Sequence, residues 1–105
     1  MNFEFNIADV EYEESYENGE YGTKTLYFIA PREWVYNFKP EARWEAVSGA
    51  ISLEYPVDNP DPKYATVMMS PTRAGFKGSL EDYDWFDIDL SSEDIEALIS
   101  LAESK

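Results

Sequence analysis

The chain has 105 residues, with 22 acidic and eight basic side chains, no histidine, no cysteine and a formal net charge of −14 at pH 7. This composition excludes disulfides, thiolate metal sites and a nucleophilic cysteine, and the missing histidine removes the commonest general base and metal ligand. The negative charge also disfavours direct binding to nucleic acid or to anionic lipid, because like charges repel.

Length and apolar content predict one folded domain, residues 1–105. The chain is 44% hydrophobic and 16% aromatic, which is enough for an ordinary core and argues against an acidic disordered tail. The N-terminus lacks the basic start and apolar run of a signal peptide, and no stretch approaches the length of a membrane span. With the absence of cysteine, these features predict a cytoplasmic protein that does not contact membranes.

The first third of the chain predicts a β-hairpin. Residues 2–13 alternate apolar and polar side chains, and a slip in parity near Ile7–Ala8 predicts a bulge or strong twist there. Residues 14–22 are polar and include Asn18-Gly19, which is typical of a turn. Residues 23–30 are rich in β-branched and aromatic side chains and predict the second strand.

The middle of the chain predicts a second hairpin, preceded by a segment with two interpretations. Residues 33–38 fit a short third strand or a loop with buried aromatic side chains. Pro40 suits the first turn of a helix over 40–48, although a longer helix through this region also fits the apolar spacing. We prefer a strand over 50–57, a proline-containing turn, and a returning strand over 64–70.

The last part of the chain predicts a strand followed by a helix. Residues 71–82 form a loop, and residues 83–90 alternate apolar and acidic side chains as a strand does. Ser91 is the expected N-cap of the helix, with Asp94 three residues later. From Ile95 onward, apolar residues recur at helical spacing, so we expect this helix to dock on the sheet.

These elements predict an α+β fold. The expected architecture is an antiparallel β-sheet of about five strands with the C-terminal α-helix packed on one face, and the region near 40–48 is a candidate short helix. The side chains expected in the core are Phe3, Phe5, Leu26, Phe28, Leu53, Val67, Phe86, Ile88, Ile95, Leu98 and Ile99.

Enzymatic chemistry has little support. Without histidine or cysteine, neither a Ser-His-Asp nor a Cys-His arrangement can form. The segment 73–78 (RAGFKG) neither follows an obvious strand nor opens a helix, so it is not a phosphate loop. The acidic segments 58–61 and 82–89 have oxygen ligands but do not match the calcium loop. The sequence therefore predicts a non-catalytic protein with no cofactor and no metal site.

The acids are segregated towards the two ends of the chain. Residues 1–23 carry seven acids and no base, and residues 78–105 carry nine acids against Lys105 alone, whereas the middle is almost neutral. Alternate residues of a strand share a face, so Glu11 and Glu13, like Asp87 and Asp89, form short rows of charge. If the first and last strands lie close together, these rows merge into one anionic surface.

Tyrosine and tryptophan interleave with these acids, and both residue types often anchor protein interfaces. The sequence therefore predicts a surface that binds a basic protein. Its candidate partner-binding residues are Asp9, Glu11, Glu13, Glu14, Tyr16, Glu17, Asp82, Asp84, Trp85, Asp87, Asp89 and Glu93.

The leading functional hypothesis is a small inhibitor that mimics nucleic acid and occupies a basic cleft of a nucleic-acid-binding protein or nuclease complex. In bulk character the chain resembles phage-encoded anti-CRISPR and anti-restriction proteins, which are short, acidic, free of cysteine and without catalytic motifs. The resemblance is one of composition and transfers no residue roles. Two alternatives remain open: an immunity or antitoxin protein that neutralises a basic toxin, and an interaction module whose acidic surface is incidental. The sequence leaves the oligomeric state open.

Overall fold

The fold is an antiparallel sheet with two helices packed on one face. The computed structural model describes residues 5–18, 22–42, 46–59, 61–73 and 84–104. Five strands follow one another across the sheet in chain order: β1 (Glu11–Asn18), β2 (Thr23–Ala30), β3 (Ala46–Pro56), β4 (Thr66–Arg73) and β5 (Phe86–Asp87). Helix α1 (Arg32–Phe38) connects β2 to β3, and helix α2 (Ser92–Glu103) follows β5; short 3-10 helices span Ile7–Asp9, Pro40–Ala42 and Pro62–Tyr64. The predicted α+β class is confirmed.

Burial alternates along the central strands and defines the two faces of the sheet. Leu26 and Phe28 of β2 are buried, as are Ile51 and Leu53 of β3, whereas the residues between them are partly or fully exposed. The helices contribute to the same core through Trp34, Val35, Ile95, Leu98 and Ile99. Both helices therefore pack on this face, and the opposite face, which we call the open face, carries neither of them.

The N-terminal strand begins later than the sequence pattern indicates. Residues 2–13 were expected to form one strand and 14–22 a turn, but Ile7–Asp9 is a 3-10 helix and β1 occupies most of the predicted turn. The side-chain oxygen of Asn6 accepts a hydrogen bond from the backbone N–H of Ala8 at 3.1 Å and caps this short helix. The pairing of β1 with β2 as an antiparallel hairpin is confirmed.

A β-bulge lies in β1, five residues beyond the position expected from the sequence. Tyr12 pairs with Phe28 and Glu14 pairs with Tyr27, so Glu13 is an extra residue without a partner in the ladder. The expectation of a bulge at Ile7–Ala8 is wrong. The insertion has a consequence for charge, because it places Glu14 rather than Glu13 on the same face as Glu11.

The short helix precedes the segment in which it was expected. Residues 33–38 lie in α1, not in a strand or loop, whereas 40–48 contains the 3-10 helix at Pro40–Ala42 and the start of β3. Pro40 disfavours helical backbone at the residue before it, and Lys39 has φ −147° and ψ 80°, which ends α1. The second predicted hairpin is confirmed by the pairing of β3 with β4.

The predicted C-terminal helix is confirmed, whereas the strand before it is shorter than predicted. Only Phe86 and Asp87 form β5, although the predicted alternation extends beyond it, since Ile88 is buried while Asp87 and Asp89 are exposed. The Ser91 hydroxyl oxygen accepts a hydrogen bond from the backbone N–H of Asp94 at 3.1 Å, as an N-cap does.

Most of the predicted core is confirmed. Phe5 and Phe86 are only partly buried against it, and Phe3 lies outside the described residues. The eight predicted core residues that are buried are Leu26, Phe28, Leu53, Val67, Ile88, Ile95, Leu98 and Ile99. The buried apolar residues that the prediction omitted are Val10, Ala30, Trp34, Val35, Ile51, Tyr55 and Met69, and the polar Ser70 is buried as well.

The contact between α1 and β3 depends on a glycine. A Cβ atom at Gly49 would lie 2.9 Å from Cγ2 of Val35, which is fully buried. We expect Gly49→Ala to lower the free energy of unfolding by about 1–3 kcal/mol through overpacking, measured by urea denaturation. In the double variant with Val35→Ala, the total loss should be smaller than the sum of the two single losses. Additive losses would contradict this packing.

The N-cap of α2 provides a second test of the fold. Ser91→Ala should reduce the free energy of unfolding by about 1 kcal/mol, because the N–H of Asp94 loses its acceptor. Ser92→Ala is the matched control, since Ser92 is the exposed neighbour and its backbone already belongs to the helix. Equal losses in the two variants, measured by thermal or urea unfolding, would contradict the capping role.

Candidate protein-binding surface

The open face presents polar, acidic and aromatic side chains in rows that cross the strands. One row has a member from every strand and an acid at each end: Glu14, Tyr27, Ser52, Met68 and Asp87. A neighbouring row contains Tyr16, Thr25, Glu54 and Thr66. Since adjacent strands are about 4.8 Å apart, the first row separates its two acids by roughly 19 Å.

Three aromatic rings connect the two edges of this face. The ring centroids of Tyr16 and Tyr27 lie 5.6 Å apart with an interplanar angle of 74°. Tyr27 in turn lies 6.1 Å from the ring of Trp85, which precedes β5. In the sheet, β3 and β4 separate β2 from β5, so this ring contact links parts of the face that are not neighbours in the strand order.

Large apolar side chains remain exposed on the open face. Tyr16 is 50% exposed and Ile29 is 38% exposed, and both belong to strands whose other face is packed against the core. Exposed aromatic and aliphatic groups beside charged groups are typical of protein interfaces. The open face thus combines apolar contact area with charge.

The carboxylates lie close enough to the phenols to change their titration. Burial raises the pKa of Tyr27 above its ordinary value of 10.0, the carboxylates of Glu54 and Glu14 raise it further, and a hydrogen bond with Ser52 acts in the opposite direction. A hydrogen bond with Glu14 is the main cause that raises the pKa of Tyr16. Both phenols are therefore neutral at pH 7, while the open face remains anionic.

A groove lies on the open face beside the first row, on the side away from the second row. Its volume is about 190 Å³, and the small side chains of Ser48 and Ala50 on β3 leave the space. Glu13 and Glu14 stand on β1 at the edge of the sheet, and the ring of Tyr27 forms part of the wall. The other lining residues are Phe28, Ile29, Gly49 and Thr72.

Four of the basic residues in the described ranges lie away from the open face. Lys24 lies on the same face of β2 as the buried Leu26. Arg32 belongs to α1 and Lys39 follows it directly, whereas Lys63 is in the 3-10 helix before β4. These four basic residues therefore do not offset the negative charge of the open face.

The first and last strands are not neighbours. β1 and β5 form opposite edges of the sheet, so the condition under which their acids would merge into one row is not met. The open face nevertheless brings together Glu14 and Tyr16 from one edge with Trp85 and Asp87 from the other, through the ring of Tyr27.

The remaining predicted residues are dispersed. Glu11 pairs with Ile29 and shares the open face, and Glu13 lines the groove. Glu17 pairs with Lys24, which has the parity of the opposite face. Asp9 lies in the first 3-10 helix, Asp84 directly before Trp85, Asp89 after β5 and Glu93 in the first turn of α2. Asp82 lies outside the described residues.

Acids also converge at a second place, on the helix-covered side. Burial raises the pKa of Tyr55, and the carboxylates of Glu103 on α2 and Glu17 on β1 raise it further. The negative charge is thus not confined to the open face, although this second group does not include the exposed rings of the first.

Tyr27, Ile29 and Glu54 belong to the open face but were missing from the predicted surface. The sequence did carry a signal for the first two. Alternation along residues 23–30 places Thr25, Tyr27 and Ile29 opposite the apolar Leu26 and Phe28. Glu54 could be added only once β3 is paired with β2, which sets it opposite Thr25. The Thr25 hydroxyl donates a hydrogen bond to Oε2 of Glu54 at 3.4 Å.

Comparisons with protein-family models, with curated proteins and with solved structures give no match to this chain. In the ranges that the structure describes, no three or more acidic side chains are grouped so that they could hold a metal ion. Over the same residues, no helix has the length and apolar character needed to cross a membrane. The open face is therefore the feature from which a function is inferred.

The coupling between Tyr27 and Glu54 is testable by titration. Glu54→Gln removes a nearby negative charge, so the pKa of Tyr27 should fall towards its ordinary value. NMR of ¹³C-labelled tyrosine would follow the titration, with Tyr27→Phe to assign the signal. Glu96→Gln on α2 is the control and should leave the Tyr27 pKa unchanged. An unaltered pKa in Glu54→Gln would contradict the arrangement.

Proposed function

We propose that this protein is a non-catalytic inhibitor that binds a basic protein and occupies the cleft in which that partner holds nucleic acid. The observation that carries the proposal is the open face, where acids at both sheet edges flank the rings of Tyr16, Tyr27 and Trp85. The finer form of the proposal is a phage-type anti-CRISPR or anti-restriction protein acting in the cytoplasm.

The negative charge would act both while a partner approaches and once it is bound. Duplex DNA carries about one negative charge per 1.7 Å of axis, and a cleft built for it is positively charged. A net charge of −14 would accelerate encounter with such a cleft. A hydrogen-bonded sheet holds its carboxylates at set spacings, which is the property that a substitute for a phosphate array requires.

The exposed apolar side chains of the open face would supply binding energy that charge alone does not provide. Exposed ion pairs contribute little to affinity, whereas buried aromatic side chains commonly dominate it. Tyr16 and Ile29 offer this contact area beside Glu14. A partner that covers the open face would therefore gain steering from the acids and binding energy from the rings.

An interaction module with an incidental acidic surface is the second candidate. The observation that favours it is the spread of acids to the helix-covered side, where Glu17 and Glu103 approach Tyr55. If the charge serves only solubility, binding of a partner should depend little on the acids of either side.

Affinity capture followed by competition would test the proposal. The protein, immobilised through one terminus, should retain a nuclease or other nucleic-acid-binding protein from a lysate of its host, identified by mass spectrometry. The purified partner should then release labelled nucleic acid when this protein is added. The affinity should fall steeply as ionic strength rises, because exposed charges are screened.

Two results would contradict the proposal. One is the absence of any basic nucleic-acid-binding partner among the retained proteins. The other is a partner that holds this protein and nucleic acid at the same time, since a cleft can contain only one of them. A salt-independent affinity would favour the interaction module instead.

A further inference from the structure

We propose that the open face is the docking surface and that it receives arginine side chains of the partner. This inference rests on the proposed function, because it names the face and the chemistry through which inhibition would act. It is carried by the combination, on one face, of exposed rings, adjacent carboxylates and a groove.

The rings contact one another, and carboxylates lie near them. Tyr16 is half exposed, Glu14 lies close enough to raise the pKa of its hydroxyl, and its ring meets that of Tyr27. A guanidinium group can stack on an aromatic ring while its planar N–H groups bind a carboxylate in pairs. A lysine ammonium lacks this planar fork, so the arrangement favours arginine.

The groove has the size for such a group. An enclosed cavity of about 150 Å³ accommodates a benzene molecule, and this groove measures about 190 Å³. Glu13 and Glu14 lie at the β1 edge and Tyr27 forms part of its wall. A guanidinium with part of its alkyl chain therefore fits between an aromatic ring and two carboxylates.

Charge complementarity selects the occupant. A second copy of this chain would bring its own acids against Glu14, Glu54 and Asp87, and like charges at short range oppose association. Helix α2 also carries exposed acids, but the large apolar side chains that are exposed in the described residues are Tyr16, Ile29, Val57 and Tyr64, none of them on α2. The open face is thus the acidic surface that also offers apolar contacts.

The first experiment compares peptides. Fluorescence anisotropy would measure the binding of the purified protein to oligoarginine and oligolysine peptides of equal length. The arginine peptide should bind about two- to fivefold more tightly, as expected for a stacked cation. Glu14→Gln with Glu54→Gln should weaken its binding by about tenfold.

A matched pair of changes separates the face from the net charge. Glu96→Gln with Glu103→Gln removes the same charge from exposed positions of α2. This control should alter the affinity for the arginine peptide by less than about twofold. All four substitutions are at exposed positions, and thermal unfolding would verify that both double variants are folded.

The role of the ring has its own matched control. Tyr16 is 50% exposed on the open face, and Tyr64 is 51% exposed in the 3-10 helix before β4, with Lys63 already over its ring at 4.9 Å. Tyr16→Ala should remove the preference for arginine over lysine, and Tyr64→Ala should retain it. Tyr16→Phe keeps the ring and should also retain the preference.

Three outcomes would overturn the inference: equal affinity for the two peptides, equal weakening by the open-face and α2 double variants, or no measurable binding. The proposed function has a separate readout. Suppose that wild type and the Glu14→Gln, Glu54→Gln variant displace nucleic acid from a cellular partner equally well. The proposed function would then stand, but this docking surface would be contradicted. Selectivity for the arginine peptide without any such cellular partner would support the docking surface and contradict the proposed function.

Discussion

The constraint on which the structure depends is burial on one face of an alternating sheet. Each strand sends successive side chains to opposite sides, and the helices cover one side only. Leu26, Phe28, Ile51 and Leu53 therefore meet α1 and α2, while the residues between them remain at the surface. Tyr27, Glu54 and Asp87 lie on the open face because an apolar neighbour of each in the chain is buried in the core.

The bulge in β1 shows how a single residue redistributes charge under this constraint. Without the insertion at Glu13, Tyr12 and Glu14 would have the same parity, and Glu14 would point towards the core. With it, Tyr12 packs edge-on against Phe28, with 5.8 Å between ring centroids, and Glu14 lies beside Tyr27 on the other face. The acids of β1 also stand at the edge of the sheet, where charged side chains oppose pairing with another strand.

The sequence predicts those features whose causes are local. The alternation of 23–30 gives β2 and both of its faces, and Ser91 gives the start of α2 through one hydrogen bond. Helix α1 was missed because Trp34, Val35 and Tyr36 favour strands intrinsically, whereas burial of Val35 against Gly49 decides the outcome. The sequence predicted residues at the two edges of the candidate surface but not Glu54 near its centre. Glu54 was missed because it pairs with Thr25, which is distant in the chain.

The electrostatics of the open face differ between the free and the covered state. In water, two charges about 19 Å apart interact by only about 0.2 kcal/mol, so the fold tolerates exposed carboxylates at both edges of the sheet. Once a partner excludes water, the same carboxylates lose their hydration, and each requires a cation or hydrogen-bond donor in return. Exposing the open face to water therefore costs little free energy, whereas covering it with a surface that is not basic costs much more. Glu14, Glu54 and Asp87 would thus exclude unsuitable partners as much as they attract a suitable one.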